Sequence, residues 1–129
     1  YVIAFPPGHR FRTFNRIPVK DLDGERYLTR MNCEALKFLG DMLERHGAKV
    51  SEPYQSERED WIQAMVLAGL GICFIPEQLA TLPGLMTRPV EDREAERDVQ
   101  LVTVSGREHG PALRAFLKEA KSFDWQGTV

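Results

Sequence analysis

The chain has 129 residues, 43% of them hydrophobic, with a formal net charge of -2 and a pI near 5.9. That length allows one ordinary domain, no apolar run is long enough for a membrane span, and the charge balance offers nucleic acid no concentrated basic face. Cys33 and Cys73 stand alone, with no CxxC and no histidine cluster, so neither a disulfide framework nor a metal site is indicated, and a reducing cytoplasm is the expected setting.

The chain opens on Tyr1-Val2-Ile3-Ala4-Phe5, an apolar run with no initiator methionine and no export-type leader. It reads as a strand inside a longer polypeptide, stopped at Pro6-Pro7-Gly8, where proline removes backbone donors. Residues 9–19 read as an irregular loop in which Phe11 and Phe14 anchor to the core. Around them, Arg10, Arg12 and Arg16 read as solvated charge rather than a recognition patch. A turn at 21–25 leads to a short strand over 26–29.

Over 33–46 the pattern is helical, with Ala35, Leu36, Leu39, Met42 and Leu43 on one side, Asn32 or Cys33 as N-cap, and Arg45, His46 and Gly47 as the exit. A strand over 49–53 precedes the most strongly marked stretch. There Ser56 and Glu59 have the spacing of a capping box, Trp61 with Met65 and Ile62 with Val66 make an apolar stripe, and Gly69 or Gly71 stops the helix. Ile72 to Ile75 is a short apolar run closed by Pro76, suited to a strand covered on both faces.

A further helical turn or two is expected over 77–82, then extended segments over 85–90 and 99–104, separated by a solvated charged loop at 91–98. Pro111 opens a last helix, with Leu113, Phe116, Leu117 and Ala120 inward. Strand and helix thus alternate, which predicts an α/β fold with a mostly parallel sheet flanked by helices.

In such folds ligands lie at the carboxyl ends of strands, against helix starts. That rule selects residues 29–34 and, with less polar material to offer, 54–57. At the first, Thr29, Arg30, Met31, Asn32 and Cys33 bring varied groups to a helix start where an anion is favoured, and Arg30 is able to grip a carboxylate by its fork. The plainer alternative has Asn32 capping and Arg30 paired with Glu34 or a surface acid. At the second, Ser56 is taken by its cap, leaving Tyr54 and Gln55. Cys33 beside an arginine has the surroundings of a reactive thiol, yet no histidine base and no resolving cysteine accompany it. Cys73 belongs to the core. No GxGxxG, Walker or GxSxG motif is present.

Four segments, in this order, resemble the effector-binding domain of LysR-type transcriptional regulators. They are the opening strand with Pro6-Pro7-Gly8-His9, then Val19 through Leu28, then Met65-Val66-Leu67-Ala68-Gly69-Leu70-Gly71-Ile72 leading to Ile75-Pro76, and last Gly110-Pro111-Ala112-Leu113-Arg114-Ala115-Phe116-Leu117. The resemblance implies a periplasmic-binding-protein-like (type 2) sensor, of which this chain holds mainly the second lobe. Residues 6–98 are then that lobe, 1–5 and 99–104 the crossings, and 111–123 a helix returning to a first lobe that lies before Tyr1.

It also implies a small-molecule inducer in the cleft between lobes, with the loop matching residues 29–33 as part of its wall. Joined to the anion-favouring helix start, this gives a small anionic effector, such as a carboxylate, with Thr29, Arg30, Met31, Asn32, Cys33, Gln55, Ser56 and Pro76 as the expected binding residues. DNA would be read only through a separate N-terminal helix-turn-helix domain, in a cytoplasmic homo-oligomer without membrane contact, cofactor or catalysis. Peroxide-sensing members of that family carry a reactive cysteine where Cys33 stands and a partner nine residues on, a place held here by Met42. Disulfide switching is therefore not implied. A thiol-based sensor or enzyme using Cys33, and a solute-binding lobe without a DNA link, remain as alternatives.

Overall fold

An unbroken apolar strand needs cover on both faces, and the opening strand has it. In the computed structural model, which describes residues 1–92 and 95–125, β1 (Val2–Phe5) is buried at every position. It lies between β4 (Cys73–Ile75) and β5 (Met86–Pro89) in a three-stranded sheet. Side chains alternate across it as strand geometry demands. Ile3 and Phe5 join Phe11, Phe74, Leu39 and Met42 on one face, while Val2 and Ala4 join Leu28, Ile62, Val66 and Ile75 on the other.

A second sheet pairs β2 (Arg26–Arg30) with β3 (Ser51–Ser56) in parallel, and a parallel bridge from Tyr27 to Ile72 extends it towards β4. The pairing is therefore mixed, not mostly parallel, since both ladders of β1 are antiparallel. Helical crossovers bring β3 and Ile72 alongside β2 in the same direction. β1 reaches β2 through two 3₁₀ turns, Arg10–Thr13 and Val19–Leu22, and no crossover imposes that direction on it. Phe11 is fully buried in this passage and Phe14 partly, while Arg10, Arg12 and Arg16 are exposed as predicted.

The helix α1 (Leu36–Arg45) turns Leu39, Met42 and Leu43 inward and stops at Gly47, whose φ of 67° suits a residue without Cβ. It starts later than predicted. Neither Asn32 nor Cys33 caps it, because the Cys33 N–H donates to the Arg30 carbonyl and the Leu36 N–H to the Cys33 carbonyl, a separate turn before the helix.

The helix α2 (Glu59–Leu67) likewise lacks the predicted capping box. Ser56 is the last residue of β3, and its Oγ accepts the Arg58 N–H at 3.0 Å. Trp61 is 60% exposed instead of inward; Ile62, Gln63 and Val66 make the buried face, and the Arg58 guanidinium lies 5.3 Å from the Trp61 ring centre. Gly69 ends the helix at φ 79°. Gly71 passes so close to β2 that a Cβ there would meet the Arg26 carbonyl oxygen.

After Pro76 the helical segment is a 3₁₀ turn, Glu77–Leu79, and not the longer one predicted. Gln63 explains the early stop, for its side chain accepts the N–H groups of Thr81 and Leu82 at 3.1 Å each. Of the predicted charged loop at 91–98, positions 93 and 94 lie outside the described residues.

Contacts divide the chain into Tyr1–Arg97, just described, and a second unit from Asp98 onward. In the latter, α3 (Pro111–Ser122) starts at the predicted proline. Its apolar face is not inward, with Leu113 45% and Phe116 59% exposed. Residues 99–104 form no strand, and among the described residues of that unit none is in a strand. Among the described residues no helix is long and apolar enough to cross a membrane.

Candidate functional site at the carboxyl edge of β2, β3 and β4

Parallel pairing makes β2 and β3 end together, which turns two places far apart in sequence into one edge. Thr29 lies opposite Gln55 and Arg30 opposite Ser56, and the Met31 N–H donates to the Ser56 carbonyl at 3.0 Å. Pro76 follows β4, whose Phe74 carbonyl accepts Arg30 Nη1 at 3.4 Å. The predicted residues thus collect at the carboxyl ends of three strands, where α/β folds place ligands.

They stand at different depths. Met31, Asn32 and Gln55 face solvent and Ser56 is half-buried, whereas Thr29, Arg30, Cys33 and Pro76 are buried beneath them. The Thr29 hydroxyl donates to the Glu52 carboxylate. Arg30 is 7% exposed and fully engaged: Nε and Nη2 reach Glu59 Oε2 at 2.7 and 2.5 Å, and Nη1 also approaches Cys33 Sγ at 3.4 Å. Burial works against its charge, but the bonds to Glu59 and the attraction of that carboxylate outweigh it and hold the guanidinium above its ordinary pKa.

Arg30 therefore pairs with an acid, and that acid is neither Glu34 nor a simple surface group. Glu59 is the residue that sequence reasoning missed, because its place three after Ser56 assigned it to a cap. An acid in the first turn of the next helix, directly after a strand beside β2, was the signal available. Glu34 instead accepts the Tyr1 hydroxyl at 2.5 Å and pairs with Arg97. The Tyr1 bond and, to a lesser degree, Arg97 hold the Glu34 carboxyl below its usual range.

That cluster leads to a recess of about 370 Å³, walled by Tyr1, Pro76, Glu77, Val90, Glu96 and Arg97 among others. Of the predicted site residues Pro76 alone borders it. Tyr1 connects the recess to the strand edge, as its ring stacks on Phe74 at 4.8 Å and its hydroxyl reaches Glu34. Both cysteines are free thiols, and burial pushes Cys73 up to about 12. Among the described residues no group of three or more histidine, cysteine or acidic side chains is placed to hold a metal ion.

Solved structures share this fold. The CcmR regulatory domain of Synechocystis PCC6803, in complex with 2-PG, aligns with a TM-score of 0.76 at 16% identity, over 91% of this chain and 59% of that one. The effector-binding domain of QuiR in complex with shikimate aligns at 0.68 and 18%, over 92% and 58%. The BenM effector-binding domain with its effector benzoate aligns at 0.59 and 22%, over 73% and 46%. The chain thus spans about three-fifths or less of the length of these structures. Among curated proteins none matches. The model of the LysR substrate binding domain matches residues 1–124, nearly the whole sequence, and the chain belongs to that family.

Proposed function

We propose that this chain is part of the effector-sensing domain of a LysR-type transcriptional regulator. It takes a small anionic effector, a carboxylate by preference, at the edge formed by Thr29, Arg30, Met31, Asn32, Cys33, Gln55, Ser56 and Pro76. The observation that carries the reading is the convergence of the 29–33 loop with the end of β3 in a chain of this family. Asn32 and Gln55, both exposed, supply hydrogen bonds; Thr29, Arg30 and Cys33 shape the floor. Two of the molecules carried by the similar structures, shikimate and benzoate, are carboxylates.

In this reading residues 6–98 are the second lobe of a two-lobed sensor, 1–5 and 99–104 are its crossings, and α3 returns to a first lobe outside this chain. An effector shifts the balance between lobe placements only by its difference in affinity for them. A helix-turn-helix domain reads that shift out on DNA, in a cytoplasmic homo-oligomer.

The test is a panel of small carboxylates titrated against the intact regulator by calorimetry. Asn32→Ala and Gln55→Ala are each expected to raise the Kd of the responding acid about tenfold, roughly the 1.4 kcal/mol of one hydrogen bond, with DNA binding without effector unchanged. Unaltered affinity in both variants would remove this edge from the site.

A further inference from the structure

The buried guanidinium at this edge is already occupied. Arg30 has a side chain only 8% exposed, and Glu59, paired with it at 2.5 Å, is the more accessible partner at 34%. We infer that Glu59 is a built-in competitor for the effector's anionic group, holding Arg30 until the effector displaces it. This rests on reading the strand edge as the effector site.

The geometry of the pair supports exchange. A guanidinium meets a carboxylate best through two parallel bonds, one to each oxygen. Here Nε and Nη2 both converge on Oε2, and Oε1 is buried with no donor among the described residues. The internal pair leaves one acceptor unsatisfied, which an incoming carboxylate or sulfate, free to align with the fork, need not do. Arg30 would stay in place during the exchange, because Nη1 remains fixed to the Phe74 carbonyl and to Cys33 Sγ, both at 3.4 Å. The receptor is anchored to β4, and the competitor sits on a different element, the first turn of α2.

Electrostatics makes the exchange selective. Withdrawing Glu59 alone strands a buried positive charge, which is strongly unfavourable, so a neutral ligand cannot take its place. The displaced carboxylate stays near the positive end of α2 and gains water. Arg58, the adjacent cation, is held by Asp60 at 2.6 Å and does not retain Glu59. Exchange therefore swaps one anion for another and unties the start of α2 from β2, a movement that effector binding can transmit.

The experiment titrates the intact regulator with sodium sulfate at constant ionic strength, by calorimetry, which requires no knowledge of the effector. Glu59→Gln is expected to bind sulfate at least tenfold more tightly than the parent protein, and adding Arg30→Gln in the same chain is expected to abolish that gain. Glu59→Asp, which keeps the charge but shortens its reach, gives an intermediate affinity and serves if the glutamine variant does not fold.

Equal or weaker sulfate binding in Glu59→Gln, or in Glu59→Asp where that variant is used, overturns the inference. A responding carboxylate that binds less tightly to Glu59→Gln would also overturn it, by making Glu59 a positioning residue, and would leave the effector site standing. A sulfate gain with no responding carboxylate would separate the two ideas the other way.

Discussion

Arg30 and Cys73 are both buried, and burial disfavours the charged form of each. Arg30 keeps its charge because Glu59 compensates it, whereas the Cys73 thiol, with only a weaker opposing pull from Arg30, stays protonated up to about 12. In the unfolded chain that thiol ionises near its ordinary value of 9.0. Between these values the unfolded state binds fewer protons than the folded one, so stability falls as pH rises, by at most ~1.4 kcal/mol per unit, and is untouched below the lower value. Burial moves the Tyr27 phenol in the same direction, which steepens the loss at higher pH. Urea unfolding at pH 8 and pH 10.5 should show that Cys73→Ala loses less stability between the two than the parent, although its absolute stability is lower because of the cavity. Equal losses would assign the alkaline limb to other groups. At this scale the sequence reveals individual residues better than their partners. Thr29 to Cys33 stood out because varied polar groups gather where a strand gives way to a helix. The Arg30 to Glu59 pair spans 29 positions and leaves no periodic trace, and Glu34 offered a nearer acid.

Gln63 shows how one polar side chain fixes the relation of two elements. It is 5% exposed on the inner face of α2. Its Nε2 donates to the Leu79 carbonyl at 2.8 Å and its Oε1 accepts from Thr81 and Leu82, so it fastens α2 to the turn after β4. Gln63→Leu keeps much of the volume but leaves two N–H groups and a carbonyl without their partner. The expected cost is about 2–4 kcal/mol in urea unfolding, with faster hydrogen exchange at Thr81 and Leu82. A loss under about 0.5 kcal/mol would mean that water replaces these bonds and that the fastening is dispensable. The same interaction shows what element prediction misses. Local signals marked β1, the glycine exits of α1 and α2, and the proline start of α3, because each rests on neighbours within a few positions. The truncated turn after Pro76, the late start of α1 and the antiparallel ladders of β1 depend on groups brought together from afar, and periodicity does not record them. Trp61 was misplaced for a related reason: a four-residue repeat gives the width of a stripe but not which edge of it faces out.

The two units differ in what they bury. Tyr1–Arg97 encloses apolar clusters on both faces of β1. The unit from Asp98 leaves every α3 side chain at least partly exposed, together with Val99, Leu101, Val102 and Val104. Within it, recesses of about 470 and 450 Å³ lie along α3, bordered by Phe116 and Trp125 and by Leu101, Leu113 and Leu117. A helix of this length is marginal in water without packing, and so large an apolar surface calls for cover. Under the proposed architecture the cover is the first lobe, consistent with a chain that spans 59% of the CcmR regulatory domain. Charging the face tests this directly, because the two contexts predict opposite results. In the intact regulator, Leu113→Glu with Phe116→Glu should lower Tm by several degrees, as expected when charges are forced into a core. In the 129-residue chain alone the same pair should leave the urea unfolding of the first unit within about 0.5 kcal/mol of the parent, and should weaken any self-association seen by sedimentation, because it removes an adhesive patch. An intact regulator indifferent to both charges would show that α3 is not covered by the first lobe, and the two-lobed assignment of residues 111–123 would have to be abandoned.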